Sequence, residues 1–330
     1  MTETRPNRRR LRPWTIAACG LALLAGPSVG QPAEFRLGDE GWERVELGQT
    51  DPDEAFLAEC RQLIAAGRPS KARRLLDKWI KANEFTENPW LPEAFLIRGD
   101  ALTARGDEYK ALLDNYEYIA RNFPESDAFF VALERELEIA IRYANGLKRK
   151  QFGMRYADAE RDAETLFVRV AERAPGSRLA ERATLELADF YYRRRELREA
   201  ATAYEIFLAN FPRSEHASHA MSRRIFANIA RYKGPAYDSS GLLEARLLID
   251  EFTARFPADA ERLGVDAGLK VRLDESAALQ MLETVRWYLR QDDEPSARFK
   301  AKRLLRRYPA SVAASEVLEM AQARGWELGR

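Results

Sequence analysis

Apolar residues recur along this chain at a 4-3-4 spacing that ends, five times over, one residue before a proline. The endings are Asn122-Phe123-Pro124-Glu125-Ser126, Arg173-Ala174-Pro175-Gly176-Ser177, Asn210-Phe211-Pro212-Arg213-Ser214, Arg255-Phe256-Pro257 and Arg307-Tyr308-Pro309-Ala310-Ser311. Counting back from each proline, the apolar sets are Leu112, Tyr116, Ile119, Phe123; Ala163, Phe167, Val170, Ala174; Ala200, Tyr204, Phe207, Phe211; Ala245, Ile249, Phe252, Phe256; and Ala297, Ala301, Leu304, Tyr308. This spacing lays four side chains on one helical face. Proline then ends the helix, because it lacks an N–H and its ring clashes with the preceding turn. The serine or aspartate just beyond offers an oxygen to cap the next helix.

A helix ahead of each stripe is also legible. Ala180, Thr184, Leu187, Ala188 and Tyr191 make one inner face, Arg195-Glu196-Leu197 the turn, and Ala200 opens the returning helix. Small residues at 188 and 200 let antiparallel axes approach closely. An earlier unit runs from Cys60, Leu63 and Ile64 through Gly67 to Ala72, Leu76 and Trp79, with Cys60 as a small core residue. The pattern predicts helix pairs at 54–66/69–82, 90–105/108–122, 127–145/159–174, 178–193/197–211, 215–232/241–256 and 276–291/295–308. A lone helix at 312–323 would cover the open end, as terminal repeats must. The expected fold class is therefore all-α, a superhelical solenoid of antiparallel helix pairs over residues 54–330. Connections at 145–156, 233–241 and 259–274 are long. Within an N-terminal extension, 31–53, the run EFRLGDEGWERVEL predicts a short β-hairpin or an extended strip.

The first 30 residues follow a different pattern. Arg5, Arg8, Arg9, Arg10 and Arg12 precede the apolar run from Trp14 to Gly26, and Ser28-Val29-Gly30 follows. That is the order of an export signal, and the run is short of the roughly 20 residues a membrane span needs. Ile16-Ala17-Ala18-Cys19 has the residue types of a lipoprotein processing site, although the apolar run continues past it to Gly26. Acylation at Cys19 and plain cleavage near Gly30 or Ala33 are the two readings.

Charge changes the picture little. The chain holds 53 Lys and Arg against 52 Asp and Glu. Without the basic leader it is slightly acidic, so no basic stripe is expected on the folded part and nucleic acid is not an expected partner. No P-loop, dinucleotide fingerprint or H-E-x-x-H motif is present in the sequence, and its one G-x-S-x-G string, Gly26-Pro27-Ser28-Val29-Gly30, falls at the end of the export signal. His216 and His219 stand one helical turn apart with only Glu215 adjacent, fewer ligands than a zinc site needs, and read as surface residues. Lys148-Arg149-Lys150 with Arg155 read as a solvated loop, the alternative being contact with lipid phosphate or nucleic acid. Asp292-Asp293-Glu294 read as a tight turn before Pro295. No catalytic residue, cofactor or metal is expected.

Stacked helix pairs present their first helices on a concave face. On helix 178–193 the flank beside the inner face carries Arg182, Leu185, Asp189, Tyr192 and Arg193. On helix 276–291 it carries Leu279, Leu282, Arg286, Leu289 and Arg290. Arginine mixed with apolar and aromatic residues suits an extended or helical peptide.

The Ala200-Tyr204-Phe207-Pro212 offsets, with Leu187, Ala188 and Tyr191 upstream, resemble the tetratricopeptide pattern. The F-P-x-S endings at Phe123-Pro124-Glu125-Ser126 and Phe211-Pro212-Arg213-Ser214 resemble the BamD-like branch of periplasmic tetratricopeptide proteins. The resemblance covers about 54–320 and is most conspicuous over 90–260. It implies a tetratricopeptide-like solenoid at the periplasmic face of the outer membrane, without catalysis, in a complex that assembles outer-membrane β-barrels. Three functions follow in order. The first is a non-catalytic envelope scaffold binding other envelope proteins or peptides in its groove, in association with the outer membrane. The second is a periplasmic module acting with peptidoglycan or transport machinery. An enzyme or carbohydrate-binding helical solenoid is the third.

Overall fold

The computed structural model describes residues 35–38, 41–44, 51–151 and 153–327. The leader, 1–30, and the lipidation candidate Cys19 lie outside the described residues. The chain divides into two units, residues 1–52 and 53–330. In the first, β1 (Phe35–Gly38) pairs antiparallel with β2 (Gly41–Arg44), with Phe35 opposite Arg44 and Gly38 opposite Gly41. Of the two readings of this extension, the hairpin is the one that forms.

The second unit is a tetratricopeptide-like solenoid. Its helices are α1 (Pro52–Ala65), α2 (Pro69–Asn83) and α3 (Leu91–Ala104). A continuous helix then follows, built from α4 (Glu108–Ala111), a π-helical turn (Leu112–Tyr116) and α5 (Glu117–Asn122). Next come α6 (Ala128–Ala144), α7 (Glu160–Arg173), α8 (Arg178–Arg193), α9 (Leu197–Asn210), α10 (Ala217–Ala230) and α11 (Ser240–Arg255). The last are α12 (Pro257–Leu263), α13 (Ala267–Arg290), α14 (Glu294–Arg307) and α15 (Val312–Ala323). Phe56 of α1 stacks on Trp79 of α2; from α2 to α12 each helix packs on the next, α13 packs on α11 and α14, and α14 on α15. First helices also touch, α3 with α6, α6 with α8 and α8 with α10.

The proline endings form one repeated turn. Phe123, Ala174, Phe211, Phe256 and Tyr308 all sit at φ between −133 and −127° and ψ between 53 and 60°. This is the region left open once a following proline disfavours the helical well. In three of them the serine beyond, Ser126, Ser177 or Ser311, donates its Oγ–H to the carbonyl before the proline, at 2.8, 2.6 and 2.8 Å. Ser177 and Ser311 also accept the N–H of Ala180 and Ala314, capping α8 and α15. After Phe256 no serine occupies that place. The chain goes straight into α12, so the expected long connection holds a helix, and α13 begins at Ala267, capped by Asp266.

Turns within pairs repeat as well. Gly67, Gly106, Arg195 and Asp292 take left-handed φ of 72, 75, 62 and 56°. The N–H of the following residue reaches back to Leu63, Leu102, Tyr191 and Tyr288 respectively, the Schellman arrangement that satisfies a helix's last carbonyls. Two of the four are not glycine and hold a conformation unfavourable for a side chain.

The 4-3-4 stripes are the core. Tyr116, Phe167, Tyr204 and Phe252 are wholly buried, and Ala163, Ala200, Ala245 and Ala297 seat the helix crossings. Cys60 is buried, and burial pushes its thiol up to about 11, so it packs without reacting. The second pair deviates. Gly106 precedes Pro124 by eighteen residues, whereas Arg195 and Asp292 precede Pro212 and Pro309 by seventeen. The π-helical turn absorbs the extra residue, with Ala111 and Leu112 both buried at its start.

The Lys148–Arg155 segment corrects an expectation. Instead of a solvated loop it forms β3 (Arg149–Gln151) and β4 (Met154–Ala157), an antiparallel pair. Arg155 and Arg142 hold the buried carboxylate of Glu108, at 2.8 and 2.9 Å. Lys150 pairs with Asp107 at 2.9 Å and Arg149 with Asp162 at 3.2 Å. These basic residues are consumed in fastening the hairpin to α4 and α7.

Candidate protein-binding face

Asp189 on α8 stands six residues before the turn residue Arg195, as Asp100 on α3 stands before Gly106. Each accepts the hydroxyl of the tyrosine from the returning helix, Tyr204 at 2.5 Å and Tyr116 at 2.8 Å. Each also meets a basic group from the next first helix, His219 Nε2 at 3.0 Å and Arg135 Nε at 3.0 Å. Burial pushes the Asp189 carboxyl up, but hydrogen bonds from His219 and Tyr204 outweigh it and hold the group below the usual range. Tyr204 is driven far up, first by burial and then by its bond to Asp189. Asp189 is therefore a positioning group. Asp189 still lines the cleft beside it, with its Oδ1 engaged by Tyr204 and His219.

What this triad positions is a cleft of about 460 Å³ lined by Asp189, Tyr192, Arg193, Arg195, His219 and Arg223. Arg223 lies 4.7 Å from the centroid of the Tyr192 ring, and Tyr192 packs edge-on to Tyr204. The guanidinium over a ring gains cation–π attraction while leaving its N–H donors directed outward. Among the described residues, Arg193, Arg195 and Arg223 form no salt bridge, although the charge of Arg193 helps to hold the Asp189 carboxyl down. Three unpaired arginines around a half-buried tyrosine can take a carboxylate by bidentate hydrogen bonds and an aromatic or apolar side chain against the ring.

Of the candidates read from sequence, Asp189, Tyr192 and Arg193 come together here. Arg182 is exposed on the same helix but does not line the cleft, and Leu185 packs on the core formed by Ala188, Ala200 and Phe207. On α13 the picture differs. Leu282 is wholly buried, and Leu289 packs on the C-terminal core. Arg286 stands at the position of Asp189 and pairs with Glu283 and Glu316, the same placement with charges exchanged. Arg290 is exposed and Leu279 lies at the surface. Arg195, His219 and Arg223 were not among the sequence candidates. Arg223 lies eleven residues past Pro212, as Arg135 lies past Pro124, so repeat alignment was the signal that could find it.

Among the described residues no group of His, Cys, Asp and Glu could hold a metal ion, and no helix is long and apolar enough to cross a membrane. No curated protein matches the chain. The family model described as YfiO, outer membrane lipoprotein, matches residues 143–330, which includes α8, α10 and the whole cleft and extends to the C-terminus. The stacked helix pairs, the proline endings and this match over more than half the length agree: the chain belongs to the YfiO family of outer membrane lipoproteins, the BamD-like branch, whose place is the periplasmic face of the outer membrane.

Proposed function

We propose that this protein is a non-catalytic scaffold of the cell envelope that acts in outer-membrane protein assembly by holding a segment of another envelope protein in the α8–α10 cleft. The observation that carries the reading is the set Arg193, Arg195 and Arg223, unpaired around Tyr192. Three arginines share the cleft with a single carboxylate, Asp189, whose Oδ1 is engaged by Tyr204 and His219, and the excess positive charge suits an anionic partner. The segment it fits carries a carboxylate beside an aromatic or apolar side chain, in extended or helical form.

The triad behind the cleft fixes the geometry, since Asp189 ties α8, α9 and α10 through Tyr204 and His219. Preorganisation of this kind lowers the ordering cost on binding. The test is affinity purification of the full chain and of Arg223→Ala from native envelopes, followed by calorimetry with the recovered partner. The variant should keep its melting temperature and lose about tenfold or more in affinity, as truncation of an arginine hot spot does. Equal recovery and affinity for both proteins would refute the reading.

A further inference from the structure

The nearly even charge of the chain conceals a strong local imbalance, and the expectation of no basic stripe on the folded part is overturned at α14. Its fourteen residues hold six cations, Arg298, Lys300, Lys302, Arg303, Arg306 and Arg307, against one acid, Glu294. Glu294 accepts a hydrogen bond from Trp326 Nε1. Among the described residues none of the six cations pairs with a carboxylate. The middle pairs are unlike this: in α7, Arg169 and Arg173 pair with Glu117, and in α11, Arg246 pairs with Asp274.

Helical geometry orders the cations. Ala297, Ala301 and Leu304 are wholly buried and define the inner face. At about 100° per residue the opposite face is centred on Phe299, with Arg306, Arg303 and Lys302 beside it and Arg307 and Lys300 on one flank. Phe299 is 65% exposed at the middle of this field. On the flank, Lys300, Arg303 and Arg307 line a cleft of about 200 Å³ together with Ser239, Gln280 and Thr284, and no carboxylate lines it.

We propose that α14 is an anionic-lipid contact, in which the cleft of Lys300, Arg303 and Arg307 receives a lipid phosphate and the broader face around Phe299 lies against the headgroup layer. The cations spread over more than half of the helix circumference, a convex field that matches many phosphates in a plane better than the few carboxylates of one bound segment. An exposed aromatic at the centre of such a field has a place in the interfacial region of a bilayer, and a cluster of this size is a lipid-phosphate signature. The family's station at the outer membrane brings such a surface within reach. The arginine cleft on α8 and α10 is a separate site, and each proposal can fail without the other.

The experiment is co-sedimentation of the full chain with phosphatidylcholine vesicles, with and without phosphatidylglycerol, at low and high salt. The phosphatidylcholine arm records what the apolar run of the leader contributes, and the α14 variants, which keep Arg5, Arg8, Arg9, Arg10 and Arg12, separate the contribution of those arginines from that of α14. Phosphatidylglycerol should raise binding, high salt should reverse the rise, and the triple variant K300Q/R303Q/R307Q should lose roughly a hundredfold of it. R298Q/K302Q/R306Q, on the other flank, should lose a comparable amount and serves if the first variant misfolds by circular dichroism. The charge-matched control is K71Q/R74Q/K78Q on α2, whose cations are also exposed. Three results overturn the proposal: no response to phosphatidylglycerol, equal loss in the α2 control, or full competition by millimolar inorganic phosphate, which would mark a free-anion site instead of a membrane contact.

Discussion

Glu136→Gln separates two carboxylates that share one arginine. Glu117 accepts Arg173 through both oxygens, at 2.8 and 2.9 Å, and also Arg169 at 2.8 Å and Arg121 at 2.5 Å. Burial pushes Glu117 up, but these arginines prevail and hold it at about 2. Glu136 is fully buried, has only the 3.4 Å contact to Arg173, and leaves Oε1 without a partner. Burial, aided by the charge of Glu117, raises it to about 7 from an ordinary 4.5. Between those two pH values the folded chain keeps a proton that the unfolded chain releases. Stability from this group is therefore full below about pH 4.5 and falls as pH rises towards 7, by about 3 kcal/mol in all. Glu117 runs the other way, stabilising above its ordinary value and losing that contribution as pH falls towards 2. Glutamine resembles the neutral acid, so the variant should match the parent near pH 4.5 and exceed it by about 3 kcal/mol at pH 8. Urea titrations at several pH values measure the difference. A stability difference between parent and variant that is constant with pH would refute the reasoning, because it would mean Glu136 holds the same charge folded and unfolded.

Arg195→Gly and Asp292→Gly should each stabilise the chain by about 1 kcal/mol, since both residues occupy left-handed turns that glycine takes elsewhere. Only Arg195→Gly should also weaken partner binding, which melting and calorimetry on the same samples will show. Gly99→Ala should cost about 2 kcal/mol, because its new Cβ would stand 2.5 Å from Cε1 of Tyr116. An unchanged melting temperature in that variant would show that Tyr116 is not fixed by Asp100.

The solenoid was legible because its local signals agree with its packing. Phe-Pro-x-Ser fixes a backbone turn, and 4-3-4 stripes fix a buried face, so the pairs could be placed before any contact was known, except that the first helix of the last pair starts at Ala267, nine residues ahead of the expected 276. The π-helical turn was hidden because counting from Pro124 absorbs the extra residue silently. Counting from Gly106 as well would have exposed it. The β3–β4 hairpin escaped because Lys148-Arg149-Lys150 reads as solvated until the buried Glu108 and Asp107, more than forty residues earlier, are brought to it. At the proposed binding face, single-helix arithmetic placed Tyr192 and Arg193 on the flank where the cleft lies. It could not find Arg223, since the cleft is completed by the next pair and depends on the offset between neighbours. The same arithmetic misjudged Leu282, which is wholly buried, and did not show that Tyr204 and His219 engage Asp189.

The central claim is that the α8–α10 cleft holds an envelope protein, and photo-crosslinking in native envelopes tests it most directly. A photoreactive residue at position 192 should yield an adduct with an envelope polypeptide, and Arg223→Ala in the same chain should abolish it. The comparison position is 247, where Leu247 is 69% exposed on the second helix of the next pair. Adducts that form from 247 and not from 192, or that persist at 192 without Arg223, would contradict the account.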